Sequence, residues 1–386
     1  MEATLQLLLT LIKSELDGTP VASASLPPLD GEAAQRLYRL SKAHDLAHLC
    51  GSALETCGAM PEGEIGQKFQ KQTMLAVFRH ERTQYEYERI CACLEENGID
   101  FVPLKGALIR AYYPEPWMRT SCDIDVLVRE EALDGAVKCL CETLGYRAEE
   151  KDYHDISLYS ESGIHLELHF HLGENVEGID RELSRVWEYV TLEEGKRHTW
   201  RQSNEYLLFH TVAHMVHHFL TGGCGIRPLM DLYLLRGHVP YDERAVRALC
   251  ATCEIELFYD RIVALCAYWF EGGECDAVLE RMERYILSGG VYGSTENAIA
   301  VKQSAHRGRV SYVWSRIFPP YRQMRAIHPV LGRHAYLLPV FYVRRWFRAI
   351  FGGKMKKSVK ELRTVQESDA NQNASMSALM QDLGLR

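Results

Sequence analysis

Apolar residues recur at intervals of three and four through Ala33–Leu49 and again from Ile65 to Asn97, where Phe69, Met74, Val77, Phe78, Tyr85 and Ile90 keep the period. That spacing predicts two helices, and Asn97-Gly98 halts the second. Shorter runs follow: Ile99–Leu104 reads as a strand, Lys105-Gly106 as a bend, and Ala107–Tyr113 as a helix closed by Pro114 and Pro116. A strand at Ile124–Val128 comes next, then a helix from Glu130 to Leu144 ended by Gly145, then strands at Tyr146–Glu150, Asp155–Ser160 and His165–His171. In the last strand Leu166, Leu168 and Phe170 alternate with His165, Glu167, His169 and His171, the period of a sheet with one buried face. Helical spacing returns from Arg181 to Cys275, broken at Gly222–Gly225 and Pro228; a loop at Gly289–Gly293 precedes a proline-punctuated C-terminal part. The segment from Ser368 onward begins polar and is expected to be mobile. The expected fold class is α+β, a small mixed β-sheet with helices embedded in a mostly helical protein. Its expected divisions are an N-terminal helical region at 1–97, an α/β core at 98–172, a helical domain at 173–300 and a basic helical region with a mobile tail at 301–386.

The chemistry concentrates in the α/β core. Residues two apart on a strand share a face, so Asp123 and Asp125 present two carboxylates side by side while Ile124 and Val126 turn inward. Neighbouring carboxylates repel unless a cation sits between them; Mg²⁺ is the expected ion and Mn²⁺ the alternative. Glu167, on the polar face of a later strand, offers a third acid. Three acids around one or two metal ions suit the activation of a hydroxyl nucleophile against a phosphorus centre. Upstream, Lys105-Gly106 combines a positive charge with a backbone free of Cβ crowding, and Arg119 offers a fork for phosphate oxygens.

Composition narrows the class. The 386 residues are 47% hydrophobic and 25% charged, which excludes collagen-like, disordered and small disulfide-scaffold proteins and suits a globular chain with two or three cores. The apolar runs fall short of the roughly 20 residues that span a bilayer, and Glu2 stands where a secretory signal carries a basic residue, so a cytoplasmic protein is expected. Twelve scattered cysteines are expected to be thiols, and Cys250-x-x-Cys253 lacks the second pair of a zinc site.

Charge is unevenly spread. Between Arg322 and Arg363 eleven cations face Glu361 alone, a local +10 in a chain of net −8. With Tyr342, Trp346 and Phe347 interleaved, three readings stay open: a wall guiding a polyanionic substrate, peripheral contact with an anionic membrane, and a solvated exterior paired with acids of the same chain. Nucleic acid is not an expected partner, since no RNA- or DNA-binding signature accompanies the charge. His210, His214, His217 and His218 share one helix face, expected to pack on the α/β core and hydrogen-bond acids or phosphate there; Arg227 and Asp231 are one turn apart nearby.

Val102-Pro-Leu-Lys105-Gly106-Ala-Leu, Tyr113-Pro114-Glu-Pro116, Arg119, Asp123-Ile-Asp125-Val-Leu-Val and Leu166-Glu167-Leu168-His169 together resemble a bacterial family of uncharacterised nucleotidyltransferases within the polymerase-β-like superfamily. The resemblance implies a nucleotidyltransferase-type sheet in which Asp123, Asp125 and Glu167 are the catalytic, metal-binding acids, with a nucleoside triphosphate as substrate. Lys105-Gly106 stands where the superfamily usually has Gly-Ser, and Glu167 where most relatives have Asp. His169, His214 and Asp231 are implied as supporting positions. The expected function is Mg²⁺-dependent transfer of a nucleotidyl or phosphoryl group to a hydroxyl of a peptide or small metabolite. The alternative is a non-catalytic nucleotide-binding sensor or scaffold.

Overall fold

The computed structural model describes residues 2–151, 154–291, 293–294, 297–298, 301, 321, 324, 329–332, 334–342, 344 and 370–385. The chain divides into two compact units, Met1–His217 with Gly225–Leu279, and His218–Cys224 with Glu280–Arg386.

The first unit opens with helices α1 (Glu2–Leu16), α2 (Gly31–Ala43), α3 (Ala47–Thr56) and α4 (Glu64–Glu96). Asp30 caps α2 by accepting from the Ala33 amide at 2.7 Å. The single helix expected over 33–49 is two helices, because Asp45 adopts a left-handed φ of 55° between them. Its carboxylate accepts from Thr120 Oγ1 at 2.8 Å and Arg227 Nη2 at 3.0 Å, contacts with distant residues that hold the break in place.

α4 runs as expected, and of its periodic apolar residues Phe69 and Ile90 are buried. Phe69, Ala76, Thr83 and Ile90, seven residues apart, line its buried side, whereas Met74 is 73% exposed and Phe78 and Tyr85 are also exposed. α3 and the 3₁₀ turn Pro116–Met118 pack against this helix.

Five strands form the sheet: β1 (Phe101–Pro103), β2 (Asp123–Val128), β3 (Arg147–Ala148), β4 (Asp155–Tyr159) and β5 (His165–His169), in the order β1-β2-β5-β4-β3. Only β2 and β5 pair in parallel; the other neighbours are antiparallel. Parallel pairing needs a crossover, here α6 (Leu133–Leu144) followed by the β3–β4 hairpin. Ile124, Val126 and Val128 of β2, Leu166 and Leu168 of β5, and Ile156 and Leu158 of β4 bury one face against Ile90 and Leu94 of α4 and Leu133, Ala136 and Leu140 of α6. The opposite face carries the polar residues. Between β1 and β2 lie α5 (Lys105–Ile109) and the turns Arg110–Tyr112 and Pro116–Met118.

Beyond the sheet come α7 (Glu177–Leu183), the hairpin β6 (Val190–Leu192) and β7 (Trp200–Gln202), and α8 (Asn204–Thr221), α9 (Arg227–His238), α10 (Glu243–Thr252), α11 (Glu256–Phe270) and α12 (Ala277–Gly289). In the second unit the segment expected to be mobile contains helix α13 (Ala370–Asp382), with Met376, Leu379, Met380 and Leu383 buried; its apolar residues arrive only after the polar start. Of the basic stretch 322–363, Arg344 is the only cation among the described residues, so the readings of its charge lie outside them. No described helix is long and apolar enough to cross a membrane. None of the twelve cysteines is in a disulfide.

Candidate active site

The β2–β5 register sets Asp125 opposite Glu167 and Asp123 opposite His165. Because both strands bury their alternate residues, all four side chains project from the same polar face. Donor atoms of Asp123, His165 and Glu167 lie within 4.8 Å of one another, as do those of Asp125, Glu167 and His169. Crowding shows in the ionisation of Asp123: burial, then the charges of Asp125 and Glu167, push its pKa up to about 6. Asp125 goes the other way. Burial opposes ionisation there, but the hydrogen bond from His169 Nε2 at 3.1 Å and the Lys105 charge hold it below the usual carboxylate range. His169 Nε2 is also 3.6 Å from Glu167 Oε2; against burial, these two acids raise the imidazole to about 9.

Lys105 stands beside this group. The Leu104 amide donates to the Asp125 carbonyl at 3.0 Å, tying the bend to β2. Lys105 itself has a φ of 31°, a left-handed conformation that costs a non-glycine residue about 1 kcal/mol or more. Its ammonium lies 3.7 Å from Glu174 Oε1 and 3.2 Å from His214 Nδ1. Burial works against its charge, and Glu174, Asp125, Asp123 and Glu167 restore it, raising the pKa above the ordinary value.

Glu174, buried in the loop after β5, accepts from His214 Nδ1 at 2.8 Å, and its main-chain carbonyl accepts from His217 Nδ1 at 2.6 Å. Burial raises the Glu174 pKa, but Lys105 and His214 outweigh it and keep the carboxylate ionised. His210, one turn earlier on α8, is buried, and burial with the Lys105 charge pushes it down to about 3. The histidine face thus meets the core through Glu174, a residue that no periodic pattern singles out.

Arg119 is placed differently from the acids. Its Nε and Nη2 donate to the two oxygens of Asp231, both at 2.8 Å, and Tyr113 Oη donates to the same carboxylate at 2.7 Å. The guanidinium is therefore matched to an internal acid, and Asp231 pairs with Arg119, not with Arg227, which goes to Asp45. Gly106 makes this possible, since a Cβ there would lie 2.9 Å from Arg119 Nη1. The carbonyl of Gly106 accepts from Arg110 Nε at 2.9 Å.

The donor set fits a divalent cation. Its donors fall into two groups that share Glu167, Asp123 with His165 and Asp125 with His169, and burial together with the charges of Asp125 and Glu167 raises the pKa of Asp123, a cost that a cation beside the acids would offset. Strand periodicity found Asp123, Asp125 and Glu167; His165 and Glu174 emerge only from the pairing of strands and from α8.

A family model described as uncharacterised nucleotidyltransferase matches residues 30–271, more than half of the chain. Among solved structures, the chain is similar to the antibiotic-resistance factor ANT(2'')-Ia at 15% identity and a TM-score of 0.27, covering 49% of this chain and 97% of that one. No curated protein matches it.

Proposed function

The chain belongs to the uncharacterised nucleotidyltransferase family, a family of transferases, and from that premise we propose that it moves a nucleotidyl group from a nucleoside triphosphate to an acceptor hydroxyl, with one or two divalent cations held by Asp123, Asp125 and Glu167, whose donors fall into two groups that share Glu167. The observation that carries the reading is the register setting Asp125 against Glu167 on one face, with the Lys105 ammonium alongside. A cation bound there, Mg²⁺ or Mn²⁺, supplies positive charge for the phosphate oxygens and the incoming hydroxyl.

The side chains do the rest. The Lys105 ammonium pairs with phosphate oxygens of the triphosphate, and Gly106 beside it makes room for the Arg119 guanidinium. Glu167, 30% exposed, takes the proton from the acceptor hydroxyl as its oxygen attacks the α-phosphorus. The bond from that phosphorus to the bridging oxygen breaks, and pyrophosphate leaves with its charge facing Lys105. Arg119 contributes by fixing the approach to β2 through Asp231. On family resemblance alone, the acceptor is a peptide side chain or a small metabolite.

Each nucleoside triphosphate, labelled in turn at the α- and γ-phosphate, is incubated with the protein and with peptide and metabolite fractions. The α label should enter a product while pyrophosphate is released, and Asp123→Asn with Asp125→Asn should abolish both. Transfer of the γ label alone would replace this reading with phosphoryl transfer. Triphosphate binding with no label transferred in any fraction would leave a sensor or scaffold.

A further inference from the structure

We propose that His165 is a direct ligand of the divalent cation, which makes the site a mixed nitrogen and oxygen centre that prefers a first-row transition ion such as Mn²⁺ to Mg²⁺. The inference rests on the acid site proposed above and concerns which ion it takes and through which atoms.

His165 sits directly opposite Asp123 in the β2–β5 register, and its Nδ1 lies 3.9 Å from Glu167 Oε1. Donor atoms held about 2.1 Å from a common octahedral ion are about 3 Å apart when adjacent and about 4.2 Å apart when opposite. The Asp123, His165 and Glu167 donors, all within 4.8 Å of one another, are close to that range before any ion draws them in.

The ring is also oriented from behind. Its Nε2 lies 3.0 Å from Ser157 Oγ, and its face stacks on Tyr159 with centroids 4.6 Å apart and planes 11° from parallel. Tyr159 pairs with His165, and Ser157 with Glu167, in the antiparallel β4–β5 register, so β4 supplies both supports. A metal-binding histidine characteristically has its second nitrogen engaged in this way, fixing the tautomer and aiming the first nitrogen at the ion. His169 differs: its Nε2 is engaged with Asp125, so it steadies that carboxylate. Mg²⁺ prefers oxygen ligands, whereas imidazole nitrogen favours transition ions.

The test uses the full chain with Mn²⁺ alone, read by electron-spin-echo spectroscopy, in which a coordinated imidazole imprints nitrogen modulation on the manganese signal. Modulation is expected in the wild type and in His169→Gln and should disappear in His165→Gln. That variant should also lose about tenfold of the preference for Mn²⁺ over Mg²⁺, and Ser157→Ala should weaken Mn²⁺ binding about tenfold by freeing the ring. Manganese bound by the wild type without nitrogen modulation, or modulation that persists in His165→Gln, would overturn the inference and leave the acid site standing. Undiminished Mn²⁺ affinity in Asp123→Asn with Asp125→Asn would instead overturn the acid site.

Discussion

Gly106 is held to hydrogen by one neighbour. A methyl group there would lie 2.9 Å from Arg119 Nη1, and Arg119 cannot retreat without straining its two 2.8 Å bonds to Asp231. Gly106→Ala should therefore destabilise the protein by about 1–3 kcal/mol, seen as a lower urea midpoint with an unchanged slope. Asp231 carries more. Asp231 is buried, the Arg119 side chain is only 9% exposed, and Tyr113 shares the carboxylate. Asp231→Ala strands that guanidinium and a buried hydroxyl, and should cost about 3–5 kcal/mol by the same measurement. A loss below 1 kcal/mol would mean that water replaces the carboxylate freely. At this scale the sequence was readable only where chemistry repeats locally. Asp123, Asp125 and Glu167 announce themselves through strand alternation, whereas the partner of Arg119 lies 112 residues away and Glu174 sits in a loop with no period at all.

Among the elements, the strands of the five-stranded sheet followed the sequence closely, whereas the β6–β7 hairpin lies where helical spacing was expected. Alternation in β2 and β5 gave both the buried and the polar face, because a sheet residue has only two directions in which to point. A helix offers a full circle, and α4 shows how that misleads. Of its periodic apolar residues, Phe69 and Ile90 are buried, but Met74, Phe78 and Tyr85 are exposed, and the small residues Ala76 and Thr83 complete the buried line. Ala76 lines a small cavity with Trp117 and Arg119 where α4 packs on the Pro116–Met118 turn, and Ala76→Leu should overfill it and cost about 1–3 kcal/mol. Met74→Ser, on the outward face, should change stability by no more than about 0.5 kcal/mol. Denaturation of the two variants side by side checks the assignment, and a larger loss from Met74→Ser would reverse it. The α2–α3 break was equally hidden, since Asp45 turns the chain while its carboxylate bonds Thr120 and Arg227, neither of them nearby in sequence.

For the whole molecule, buried histidines couple stability to acidity. Burial pushes His48, whose Nε2 donates to the Met118 carbonyl at 2.8 Å, down to about 4, and His210 down to about 3. An unfolded histidine titrates near 6.5. Above that pH both states are neutral and the contribution to stability is fully present. As pH falls below 6.5 the unfolded chain gains protons that the folded chain refuses, so stability is lost until pH reaches the folded values near 4 and 3. The two groups together then lose about 3 kcal/mol between pH 7.5 and 5.5, a sizeable part of the 5–15 kcal/mol typical of a folded domain. His169 has the opposite sign: held near 9 by its two acids, it adds stability below 6.5 that fades as pH rises through 9. The comparison that isolates the buried pair is therefore between variants. In His48→Gln with His210→Gln, the stability difference between pH 7.5 and pH 5.5, measured by urea denaturation, should be smaller than in the wild type by about 3 kcal/mol. Equal differences in the two proteins would mean that these rings take up protons within the fold, and the acid sensitivity would then have to arise from other groups.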